Sequence, residues 1–157
     1  MAVKTFFLAA SLIFCFLATS THAFNCDVTA TGLAFGPYDF LASFPTDTTG
    51  SVMVSCNIPA QNPHAPLAVT IDLSPGISGS FAQRQMQSSG PDPLYYNLFT
   101  NPSFSTIWGD GNGGSSSQTA FVTSDTPYSA VIYGRIPAGQ KVPVGTYSDV
   151  ITVTIEW

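Results

Sequence analysis

The residues Trp108 to Gln118, WGDGNGGSSSQ, are the stretch whose types and spacing come nearest to chemistry. Gly109, Gly111 and Gly114 satisfy G-x-G-x-x-G, and Asp110 with Asn112 begins like a calcium loop. A dinucleotide loop must follow a buried strand and open a helix, because the helix N-terminus neutralises the pyrophosphate. Here the glycines run through Ser115 to Ser117 into a strand-like TAFVT, with no βαβ unit around them. An EF-hand needs a bidentate glutamate at loop position twelve, and that place is held by Phe121. Glycine is also what a tight connection between strands demands, since it tolerates positive φ. Trp108, Gly109, Asp110 and Gly111 are therefore expected to form a structural turn, and no metal or cofactor is expected there.

The other candidates are sparser. After the leader described below, His64 is the one histidine, held in Asn-Pro-His-Ala-Pro. A catalytic base needs a nucleophile and an orienting carboxylate on rigid elements, and a proline-rich loop supplies neither. Tyr95, Tyr96 and Trp108 have the chemistry to stack a sugar, but aromatic residues in strands more often form core or cross-strand pairs. Glu156 and eight scattered aspartates make no evident acid–base pair. No enzymatic activity is expected.

The segment 1–23 reads as a secretory signal peptide: Lys4, an apolar run from Phe6 to Leu17, then Thr21-His22-Ala23 with small residues at the −3 and −1 positions. That run is short for a membrane span, so the mature form, residues 24–157, is expected to carry none. The remaining cations are Arg84, Arg135 and Lys141 against 9 acidic residues. So few cations give no means of gripping nucleic acid through its phosphates. Cys26 and Cys56 enter an oxidising compartment, where a disulfide is the leading reading. Two cysteines and one histidine are too few for a structural zinc site.

No amphipathic helical window stands out; the chain alternates instead. Leu67, Val69, Ile71 and Leu73 share one face, as do Val52, Val54 and Cys56. In YSAVIYGRI, apolar residues at Ala130, Val131, Ile132 and Tyr133 suggest a strand covered on both faces. In YSDVITVTIEW, Ile151, Val153, Ile155 and Trp157 face one way and Thr152, Thr154 and Glu156 the other. Period two with β-branched enrichment means half-buried strands. Seven such runs, an eighth candidate around Phe81 to Gln87, and dense Gly/Pro punctuation predict one all-β domain, an antiparallel sandwich.

These pieces resemble the spore coat protein U family, which includes subunits of archaic (Csu-type) chaperone–usher pili. The resemblance rests on LAFGPYD from Leu33, TGSVMVSC from Thr49, LYYNLFTNPSFSTIWGDG from Leu94 and YGRIPAGQKVPVGTYSDVITVTIEW from Tyr133, in family order. It implies an immunoglobulin-like sandwich lacking its final strand. A periplasmic chaperone would lend a strand first, and a neighbouring subunit would replace it at the outer-membrane usher, the chain ending on the cell surface in a fimbrium. Ile151, Val153, Ile155 and Trp157 would then face the incoming strand, with basic chaperone residues gripping the carboxylate of Trp157. Shaft subunits of that family carry an alternating donor segment ahead of the first cysteine, whereas here Phe24 and Asn25 alone lie between the leader and Cys26. The chain is thus expected to accept a strand without donating one, at the tip or as a minor subunit. Two alternatives remain open: a self-contained coat protein whose core closes itself, and a carbohydrate-binding tip module.

Overall fold

A computed structural model describes residues 25–58 and 65–157. The leader, its cleavage site, Phe24 and His64 lie outside the described residues. The described residues form eight strands: β1 (Asn25–Thr31), β2 (Thr46–Asn57), β3 (Leu67–Leu73), β4 (Arg84–Met86), β5 (Leu94–Phe99), β6 (Gln118–Val122), β7 (Tyr128–Ile136) and β8 (Val153–Glu156). A five-stranded sheet in the order β1-β2-β7-β5-β4 packs on a three-stranded sheet in the order β6-β3-β8, with antiparallel pairing throughout. This is the sandwich the alternation predicts, and the eighth candidate segment supplies β4.

The side-chain period of two carries the packing. Val52, Val54 and Cys56 of β2 and Val69, Ile71 and Leu73 of β3 are buried, facing each other between the sheets. In β7 the buried residues are Ala130, Ile132, Gly134 and Ile136. Its other face is open at Val131, 43% exposed, while Tyr133 is half-buried against Phe104 (centroids 6.3 Å), so cover on both faces holds at one end of the strand and fails at the other. Among the described residues no third sheet stacks on the outside of the five-stranded one.

Cys26 and Cys56 are bonded, and they are direct partners in the β1–β2 register. Closing a separation of 30 residues contributes about 3–4 kcal/mol in the chain-entropy treatment. That staple matters because β1 has few other attachments. Among the described strands it pairs only with β2, and every residue in it except Cys26 is exposed.

The C-terminal run is shorter as a strand than its alternation suggests. Regular pairing with β3 covers only Val153↔Leu73 to Glu156↔Thr70. Before it, Ser148 exchanges both backbone hydrogen bonds with Gln87, each at 2.9 Å, next to the five-stranded sheet. The Ser74 amide donates to the Thr152 carbonyl at 2.9 Å on the other side. Residues 148–152 are therefore spent crossing from one sheet to the other, and the side-chain alternation continues through the crossing.

Candidate functional site: an open groove beside the last strand

β8 pairs with β3 on one side and sits at the edge of its sheet. Along the other side no described strand pairs with it, which leaves backbone donors and acceptors without a ladder partner. Beside that edge runs a groove of about 740 Å³. Its floor is the inner face of the larger sheet: Met86, Leu94, Tyr96, Leu98, Ile132 and Ile136. One wall is residues 30–38, the other residues 142–149 with Ile151 and Val153.

The first wall is built by small residues. After β1 the chain crosses the larger sheet over Gly50 and Gly134. A Cβ on Gly134 would lie 2.6 Å from Leu33 Cδ2 and 2.8 Å from Phe35 Cζ, so glycine lets those two side chains seat. Phe35 then meets Tyr96 edge to face, with centroids 5.9 Å apart. Thr48 Oγ1 donates to the Ala34 carbonyl at 2.9 Å and holds the crossing chain down.

The second wall is pinned by polar ties. The Tyr96 hydroxyl donates to Asp149 Oδ2 at 2.8 Å, and Asp149 Oδ1 accepts from the amides of Ile77 at 3.0 Å and Val150 at 2.8 Å. Burial pushes the Tyr96 phenol well above its ordinary 10.0; the hydrogen bond to Asp149 and its charge add to this, and Arg84 opposes it. A folded value above the unfolded one means this group's stabilisation is whole below about pH 10. It is lost as pH rises through the folded value. Burial lowers Arg84 from 12.5 to about 10. There the unfolded chain holds more protons, so Arg84 acts in the opposite sense. Tyr96→Phe removes the first effect and keeps the second. Its thermal midpoint, followed from pH 8 to pH 11 in a strand-bound complex, should fall less with rising pH than the parent's. At pH 8 the variant should be weaker by about 1.5–3 kcal/mol, the range for a hydrogen bond to a charged group.

Of the four C-terminal residues singled out by alternation, Ile151 and Val153 line the groove. Ile155 is half-buried opposite Ile71 and packs against the core. Trp157 stands 57% exposed, past the last ladder pair at Glu156. The structure thus brings together the first two and leaves the other two outside the lining. The walls contributed by residues 32–38 and by Asp149 were missed; Gly50 and Gly134 facing Leu33 and Phe35 were the available signal.

WGDG lies elsewhere and bridges the two sheets. Trp108 is 0% exposed. Its indole Nε1–H donates to the Ile71 carbonyl of β3 at 2.9 Å, and its amide to the Leu98 carbonyl of β5 at 2.9 Å. Gly109 has no room for a Cβ, which would press on Ser115 and lie 2.7 Å from Phe81 Cδ1. Asp110 Oδ1 accepts from the Asn112 amide at 2.9 Å, and Gly111 has φ +83°. Below the loop sits Arg84, 0% exposed. Its guanidinium donates to the Ser74 carbonyl (Nε 3.1 Å, Nη2 2.9 Å), to Asn97 Oδ1 at 2.7 Å and to the Trp108 carbonyl at 2.7 Å. With Trp108 sealed and Tyr96 at 5% exposure, neither presents a face on which a sugar would stack. Among the described residues, no cluster of three or more His, Cys, Asp or Glu could hold a metal ion. No helix there is long and apolar enough to cross a membrane.

Comparison with known proteins places this architecture. The Protein U of Myxococcus xanthus is 29% identical over 131 residues, 78% of this chain and 70% of that protein. Among solved structures, the chaperone–tip adhesion subunit pre-assembly complex of the archaic chaperone–usher Csu pili of Acinetobacter baumannii is similar, with a TM-score of 0.58 and 24% identity. The match covers 86% of this chain and 40% of that one, so this chain spans less than half of the solved chain's length. The likeness is one of fold, an immunoglobulin-like sandwich. The minor tip subunit of the E. coli Hda pilus superposes more loosely, with a TM-score of 0.39, 18% identity and coverage of 82% and 79%, and carries no further weight. The family model of the Spore Coat Protein U domain matches residues 12–154. The chain belongs to the Spore Coat Protein U domain family.

Proposed function

We propose that the chain is an exported, non-catalytic subunit of a surface fibre. Its open groove accepts a β-strand from another polypeptide, first a periplasmic chaperone and then a neighbouring subunit at the outer-membrane usher. The single observation behind this is the unpaired edge of β8 beside an apolar groove. A strand added there gains main-chain hydrogen bonds along the edge and apolar contacts with the floor. Membership of the family and the fold shared with a Csu pilus subunit support the assignment. On this reading 1–23 is removed on export and 24–157 is the working domain. A place at the distal tip or as a minor subunit belongs to the same proposal and turns on where the leader is cut, which N-terminal sequencing of the exported chain reads.

The family description, which names a spore coat, favours a second reading, a coat protein that stands alone. The two part on one experiment. Affinity purification of the tagged chain from its native envelope should bring down a near-stoichiometric second polypeptide, cross-linked to residues 150–157. A lone monomer with no cross-link there would leave the coat reading standing instead.

A further inference from the structure

The apolar lining of the groove does not stop at its walls. At the end where residues 32–38 leave the larger sheet, residues 38–45 make a built turn. The Leu41 amide donates to Asp39 Oδ1 at 2.9 Å, and the Ala42 amide to the Asp39 carbonyl at 3.2 Å. The turn holds large apolar side chains out in water: Phe40 is 43% exposed, Leu41 78% and Phe44 71%. On the neighbouring loop Val144 is completely exposed. The two loops are tied together, because the Tyr38 hydroxyl donates to the Pro137 carbonyl at 3.0 Å and accepts from the Gln140 amide at 2.8 Å. Four exposed apolar side chains on two loops tied to one another, two of them in the groove lining, mark an interaction surface, whereas single exposed residues such as Phe121 need no such account.

What covers the patch follows from its continuity with the groove. Phe40 and Val144 belong to the groove lining, while Leu41 extends the same turn beyond it. A strand leaving the groove at this end passes these side chains. Its parent domain is then tethered close by, at roughly 3.3 Å for each intervening residue of extended chain. Tethering gives even a weak apolar patch a millimolar-range local partner. We propose that Phe40, Leu41, Phe44 and Val144 form a collar that seats the folded body of the strand-lending protein. That protein would carry a weakly charged apolar patch at the root of its strand. The inference rests on the groove being a strand acceptor and adds a second contact with the same partner.

Two probes test it: a synthetic peptide of the inserted strand, and the intact copurifying protein that supplies it. The test variant is Leu41→Ser with Phe44→Ser, both already in water, so folding is expected to hold. The intact protein should bind the variant roughly ten-fold more weakly than the parent, as for loss of interface anchors, while the peptide binds both alike. Equal weakening for both probes would reduce the collar to a structural effect and overturn the proposal; so would no weakening for the intact protein. Reduced self-association of the variant with unchanged partner binding would assign the collar to a second copy, also against it. If neither probe binds the parent chain, the acceptor reading itself fails, a result distinct from all of these.

Discussion

Exported to a periplasm without its strand-lending partner, the chain should aggregate or be degraded, and with that partner it should accumulate as a soluble complex. An unpaired edge is a template for other edges, and beside it lies a groove of about 740 Å³ lined largely by apolar side chains. Native domains are stable by only about 5–15 kcal/mol. A partner present at a hundred times its dissociation constant adds about 2.7 kcal/mol by mass action alone, a large fraction of that margin. Soluble yield by fractionation, with and without co-expression, is the measurement. Equal yields of monodisperse chain in both arms would count against an unfinished sandwich.

The second large effect concerns Trp108. Trp108→Ala should cost about 3–5 kcal/mol for the cavity and lost burial. It also strands the Ile71 carbonyl, which now accepts from the indole at 2.9 Å, adding about 1–3 kcal/mol. A loss of that size approaches the whole stability of a marginal domain, so the variant should fail to accumulate even beside its partner. Trp108→Phe keeps much of the volume and drops only the donor, so it should survive with a lowered midpoint in urea. Soluble yield on co-expression checks the first, and urea denaturation of the purified complex checks the second. A Trp108→Ala variant as stable as the parent would mean the loop does not join the sheets as described.

Alternation made most of the sheets legible. Val52, Val54 and Cys56, and Val69, Ile71 and Leu73, were readable because one face of each strand is buried and a period of two follows. The glycine-rich loop gives no sequence signal for a nucleotide or calcium site because neither a following helix nor a twelfth-position glutamate is present. What escaped was long-range. Residues 32–38 look like loop, and their role as a wall depends on Gly50 and Gly134 standing opposite. Arg84 counted as one of few cations, and nothing in its neighbours in sequence shows that it is buried, with three acceptors from distant segments converging on it. The run from Tyr147 to Trp157 read as one strand because side chains keep alternating even where the backbone changes sheets. Periodicity reports which way a side chain points, and it is silent on which partner the backbone holds.

The most direct test is amide hydrogen exchange across residues 150–157, comparing the chain alone with its complex. In β8 alternate amides point toward β3 and toward the open groove. If a foreign strand completes the sheet, the groove-facing amides should exchange freely in the lone chain and become protected on binding. Protection at every β8 amide in the lone chain, unchanged when the partner is added, would show that the sandwich closes itself.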